Sequence, residues 1–164
     1  MDVLEAIKSR VSIRRYKNFP VAKEILSDII DCARLAPSGY NHQSWMFVVV
    51  TDKSIKGSIA QAAQWGRFIE DAGACIAVFC KKGEETMVED ACAATENIII
   101  AARAYDLGTC WVNSHNKSHS EKVKSILKCP LEFELITLLA IGYHEQQKSP
   151  PKKPLEEVIR WDSF

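Results

Sequence analysis

The stretch Ser9–Tyr16, SRVSIRRY, puts three arginines within six residues of a chain whose charges otherwise cancel. In an extended backbone, Arg10, Ser12 and Arg14 point to one side and Val11 and Ile13 to the other, toward a core. Two guanidiniums flanking a hydroxyl suit a phosphate, because arginine offers paired donors and the serine adds another. The same residues also suit a solvated basic turn, and both readings stand on this stretch alone. Lys152 and Lys153, beside prolines near the C-terminus, either complete such an anion site or ride on a solvated tail.

A second stretch, APSGYNHQSW (36–45), offers Ser38, Asn41 and Gln43, which are hydroxyl and amide groups without charge. Amides pair with the polar edge of a neutral heteroaromatic ring. The alternative is a helix-stopping loop rich in turn residues. His42 reads as a surface histidine. A third stretch, LGTCWVNSHN (107–116), reads either as a strand and loop offering backbone N–H groups to a ligand or as a core strand with a polar end. No G-x-G-x-x-G, P-loop, G-x-S-x-G or H-E-x-x-H occurs.

Elements must hold these stretches in place. Apolar periodicity predicts helices over 3–9, with Asp2 as cap, and over 22–35, stopped at Ala36-Pro37. Further helices are predicted over 53–64, over 87–105 (MVEDACAATENIIIAARAY, ended by Leu107-Gly108) and over 121–128, capped by Ser118 or Ser120. Buried strands are predicted over 46–51, 74–80 and 133–141, with a short strand over 109–112. The segment 155–161 reads as a last strand or turn. There is no repeat and no composition break, so the chain reads as one α/β or α+β domain, 1–164, with an arm from about 145 to 164.

Composition limits the function. With Lys+Arg 21 and Asp+Glu 21, the chain has no electrostatic footprint for nucleic acid or an anionic membrane. MDVLEAIKSR lacks the apolar region of a secretory signal, and no apolar run reaches membrane-spanning length. The six cysteines lie scattered, mostly in apolar stretches, and read as buried reduced thiols of a cytoplasmic protein; no metal site is expected.

The stretches, in this order, resemble the nitroreductase family of FMN-dependent enzymes. RVSIRRY matches the family's R-x-S-[IVT]-[RK]-x-[FY], and APSGYNHQSW matches A-P-S-x-x-N-x-Q-P-W. Glu96-Asn97, DLGTCW, Gly142-Tyr143 and KKPLEEV continue the pattern across nearly the whole chain. The sequence departs from it at Ser44, at Lys152 where arginine is frequent, and in the glycine-free VNSHN after Trp111.

The resemblance implies an α+β sandwich with a central mixed sheet flanked by helices, in an intertwined homodimer with FMN sites at the interface. It implies ping-pong hydride transfer from NAD(P)H to nitroaromatics, quinones or similar small acceptors. Within the cofactor-binding stretch Arg10, Val11, Ser12, Ile13 and Arg14, it assigns Arg10 and Ser12 to phosphate and Arg14 to the flavin N1–O2 edge. Asn41 would meet the pyrimidine edge and Gln43 that edge or the ribityl chain. Ser38 would come from the partner subunit, and Lys152 and Lys153 would complete the phosphate site. No catalytic side chain is implied. The region between Thr51 and Ala74 is short, with Trp65 and Phe68 its aromatics, so the substrate lid is expected to be small. Dehalogenation or ene reduction on the same fold, a non-enzymatic FMN-binding module and a thiol-based redox protein are the alternatives.

Overall fold

The computed structural model describes residues 1–145 and 150–164. Helix α1, Val3–Ser9, begins where the Asp2 carboxylate accepts the Glu5 N–H at 2.9 Å, as the sequence predicts. Then follow α2 (Lys23–Ala33), β1 (Trp45–Val50), α3 (Lys53–Ala62), β2 (Ala74–Lys81) and α4 (Met87–Ala104). The chain continues through β3 (Gly108–Asn113), α5 (Ser120–Ile126), β4 (Phe133–Gly142) and α6 (Leu155–Val158). The last is a single helical turn where a strand or turn was expected. Within the arm expected over 145–164, residues 146–149 lie outside the described residues.

The strands form one sheet in the order β1-β2-β4-β3, and all three pairings are antiparallel. Among the described residues, the parallel contribution to the expected mixed sheet is one bridge, between Ser12 and Thr109. Strand alternation splits the core in two. Ala74, Ile76, Val78 and Cys80 of β2 face α2 and α4, while Cys75, Ala77 and Phe79 face α3 and α5. β2 and β4, paired on both sides, are buried almost throughout, which explains their continuous apolar sequences. β1 carries an equally apolar run but lies at an edge, with Met46 and Val49 exposed, so it is not the buried strand expected.

One irregularity matters for the site. The β2–β4 register shifts between Val78 and Phe79, whose partners are Thr137 and Leu135, leaving Ile136 as the extra residue of a bulge. Ile136 packs in the α4-side core, and Thr137 on the same side meets Thr95 of α4 hydroxyl to hydroxyl at 3.0 Å. The freed Ile136 carbonyl accepts the backbone N–H groups of Ser114 and His115, at 3.1 and 3.0 Å. The bulge thereby fixes the loop that leaves β3.

The six cysteines are unpaired. Burial pushes the Cys75 thiol up to about 12 and the Cys80 thiol up to about 11, so both are protonated and unreactive at neutral pH. Cys32, Cys92 and Cys129 are only half-buried, less enclosed than the sequence suggests.

Candidate functional site

The basic stretch leaves α1 at Arg10 in an extended conformation and runs along the outer edge of β3. Ile13 donates its N–H to the Thr109 carbonyl at 2.8 Å, and its side chain is buried. Ser12 and Arg14 are exposed, so the alternation read from the sequence is present over 12–14; Val11 is half-buried and lines a cavity beside Arg10 instead of entering the core. Gly108 permits this approach: a Cβ there would lie 2.5 Å from Ile13 Cγ1 and 2.7 Å from the His144 ring. Farther along, the Tyr16 hydroxyl donates to the Ile13 carbonyl at 2.8 Å, with the Ala140 carbonyl at 3.2 Å. Burial pushes the Tyr16 phenol well above its ordinary range, so it remains a donor. Lys17 closes the stretch by donating its N–H to the Tyr143 carbonyl at 2.8 Å.

Two cavities open beside this segment. The first, about 350 Å³, is lined by Lys8, Ser9, Arg10, Arg103, Thr109 and His144, among others. The Arg103 guanidinium donates to Ser9 Oγ at 3.0 Å and to Asp106 at 2.8 Å. The second, about 550 Å³, is lined by Arg14, Gln64, Trp65, Phe68 and residues 110–113 and 117–119. Among the described residues, no carboxylate lines either cavity. Arg10 and Arg14 thus face different cavities within one chain. Val11 and Ile13 contribute to the wall of the first.

The outer edge of β3 adds backbone donors. Thr109 sends its carbonyl to Ile13, away from β4. By strand alternation, Trp111 and Asn113 carry their backbone groups on the same outer edge, beside the second cavity. Beyond them Ser114 is fully buried. Its hydroxyl donates to the Val112 carbonyl at 3.2 Å and meets His119 Nε2 at 3.0 Å, while the Ser120 hydroxyl donates to the Ser114 carbonyl. Ser120, one of the expected caps, therefore ties the loop, and α5 starts at Ser120 with His119 in the N-cap position and no side-chain cap.

The loop 36–44 lies apart from these cavities. The Gln43 N–H donates to Ser38 Oγ at 3.1 Å, and the Gln43 amide donates to the Asn41 carbonyl at 3.4 Å. Tyr40, Asn41 and Gln43 all have φ between 50° and 58°, with His42 at φ −68° between them; the left-handed region is rarely adopted by residues such as Tyr40 and Gln43. The Gly39 N–H docks the loop onto the buried Asp90 carboxylate of α4 at 2.9 Å. His42 is a surface residue, 2.7 Å from Glu84. Lys152 and Lys153 are exposed on the segment before α6. Of the described residues lining the two cavities, none is Ser12, Ser38, Asn41, Gln43, Lys152 or Lys153. Asp90, Lys117 and His119 escaped the sequence reading. Their signals were an acid in an apolar helix and the polar run NSHNKSHS after a strand.

The structure is thus a helix-flanked antiparallel sheet with a cationic segment laced to its edge and, among the described residues, no Asp or Glu lining the two cavities beside it. The model of the nitroreductase family matches residues 7–82 and 65–143. The chain belongs to the nitroreductase family. It is 31% identical over 148 residues to a putative NADH dehydrogenase/NAD(P)H nitroreductase of Methanothermobacter thermautotrophicus, covering 87% of this chain and 78% of that one. An iodotyrosine deiodinase of Thermotoga neapolitana is 26% identical over 183 residues, covering 96% of each. The solved structure of an FMN-dependent nitroreductase from Clostridium difficile R20291 superposes with a TM-score of 0.92 at 28% identity, covering 98% of this chain and 99% of that one.

Proposed function

We propose that this protein is an FMN-dependent oxidoreductase that uses NAD(P)H to reduce nitroaromatics, quinones or similar small acceptors in a ping-pong reaction. The observation that carries the reading is the anchored segment Arg10–Arg14 beside the outer edge of β3. Its donor set fits FMN: guanidinium and hydroxyl groups for a phosphate, outer-edge backbone N–H groups for a ring edge, and among the described residues no Asp or Glu lining either cavity. Arg10 and Ser12 hold the phosphate, and Arg14 faces the polar pyrimidine edge. The chemistry the bound FMN supplies is hydride exchange, first with NAD(P)H and then with the acceptor. The chain's own residues bind, orient and screen.

The functional unit is a homodimer with two sites. The chain exposes 10179 Å², against about 8,200 Å² for a compact monomer of this mass, 18.4 kDa. The excess is apolar in part: Leu155, Val158, Trp161 and Phe164 of the arm, and Met46 and Val49 of β1, all face solvent. A second copy covers them and brings Ser38, Asn41 and Gln43 to the partner's cofactor, with Lys152 and Lys153 completing the phosphate site. Residues 1–164 act as one domain with a C-terminal arm. The protein works in the cytoplasm; among the described residues no helix is long and apolar enough to cross a membrane.

The test is the visible absorption spectrum of the purified protein, release of the chromophore, and NAD(P)H oxidation with a nitroaromatic. About one FMN per chain with turnover is expected. Bound FMN without turnover would leave a binding module, and failure to bind added FMN would overturn the assignment.

A further inference from the structure

Resting on the reading above, we propose that the 550 Å³ cavity selects aromatic acceptors that carry a negative charge, a carboxylate or phenolate, and grips that charge through Lys117. The cavity has two aromatic walls of different character. Phe68 is held, its ring 6.5 Å from that of Tyr16, which is itself hydrogen-bonded to the sheet. Trp65 is 80% exposed, so its indole gains burial by covering a planar ring lying against Phe68. The charge pattern then sets the kind of ring. Lys117 lines the wall, and among the described residues no Asp or Glu does, so an anion meets attraction there and no opposing carboxylate.

His119, next to it in the wall, is already assigned. The Ser114 hydroxyl hydrogen goes to the Val112 carbonyl, so Ser114 Oγ is left as the acceptor for His119 Nε2–H. Burial and the Lys117 charge hold the imidazole below its ordinary pKa, hence neutral at pH 7. Lys117 is therefore the charge that this side of the cavity offers, and Arg14 serves the cofactor side. The anionic group of NADPH is the rival ligand for the same lysine.

The test compares 4-nitrobenzoate with 4-nitrobenzamide, which share ring and nitro group and differ in charge, using the FMN-loaded enzyme and its Lys117→Gln variant. The wild type should prefer the benzoate in kcat/KM. K117Q should cut that preference about five- to tenfold, through KM and not kcat. Equal use of both compounds by the wild type, or an unchanged preference in K117Q, overturns the inference. A KM rise for NADPH relative to NADH with the benzoate preference intact also overturns it, and assigns Lys117 to the nucleotide. If neither compound is turned over, the oxidoreductase reading is what fails. Quenching of tryptophan fluorescence by benzoate against benzamide then tests the cavity directly: tighter benzoate binding, lost in K117Q, sustains the anion preference, and equal binding ends it.

Discussion

Two basic segments carry the residues assigned to the cofactor phosphate, and they are built in opposite ways. Arg10–Lys17 is laced to the sheet by the Ile13 and Lys17 N–H groups and by the Tyr16 hydroxyl, with Ile13 buried beneath it. Residues 151–164 make their hydrogen bonds within themselves, as where Arg160 donates to the Glu156 carbonyl at 3.0 Å, and they leave Leu155, Trp161 and Phe164 in solvent. The first segment has met its ordering entropy during folding of the single chain; in the proposed dimer the second would meet the rest of it on docking to the partner copy or the cofactor. On the proposed reading, half of the phosphate site is preorganised and half would be assembled. An anchored residue should therefore cost much when removed, and a tail residue little.

The largest effect is expected at Ile13, whose side chain is 1% exposed and fills the gap that Gly108 leaves open. Ile13→Ala should lower stability by about 2–5 kcal/mol, read from the urea midpoint of the apo protein. A loss under about 1 kcal/mol would mean the segment is no better anchored than the tail. Arg10→Ala comes next and separates anchoring from binding. It removes a charge-assisted bond to phosphate, so the FMN Kd should rise about ten- to a hundredfold while the urea midpoint of the apo protein stays nearly fixed. An unchanged Kd in an FMN titration would sink its assignment. Tyr16→Phe sharpens the same contrast, since it removes one hydroxyl bond from the anchor and no ligand group. About 1 kcal/mol of stability should be lost, with the FMN affinity of the folded protein kept within about twofold. A drop in affinity as large as that of Arg10→Ala would move Tyr16 into the binding machinery.

The contrast also explains what the sequence made legible. The period-two alternation around Val11 and Ile13 was readable because the segment lies on a sheet edge, and burial of Ile13 requires it. β2 and β4 were readable because a strand covered on both faces is apolar throughout. β1 has the same Val run but only one neighbour, and residue types do not record how many neighbours a strand has. The sequence reads α4 to Tyr105 with Leu107-Gly108 as its stop; the helix does end there, yet the left-handed residue is Asp106, at φ 56°, with the Leu107 N–H returning to the Ala102 carbonyl at 3.0 Å. Gly108 is needed instead for the approach of Ile13. Of the site, Arg10 and Arg14 were visible as a pair, but their separation into two cavities arises from the packing of α1 and of the Trp65–Phe68 turn. Asp90 as the dock of the loop 51 residues earlier, and the β4 bulge that holds Ser114, are tertiary facts without a local pattern.

The smallest effect is expected at Lys152. It sits on the exposed side of the comparison, as a single ammonium on a flexible stem with no fork to pair with two phosphate oxygens. Its contribution is chiefly Coulombic, and a charge acting through water is screened over about 10 Å at 0.1 M salt. Lys152→Ala should therefore raise the FMN Kd by at most about fivefold at low salt. At 0.5 M salt the wild type and the variant should converge. Arg10→Ala should keep most of its deficit under the same conditions, because directed hydrogen bonds at an anchored position outlast screening. FMN titrations of the three proteins at both salt concentrations make the comparison. A Lys152 deficit that equals that of Arg10 and persists at high salt would show that the tail folds into the site as firmly as the edge segment does, and the division between a preorganised and an assembled half would fall.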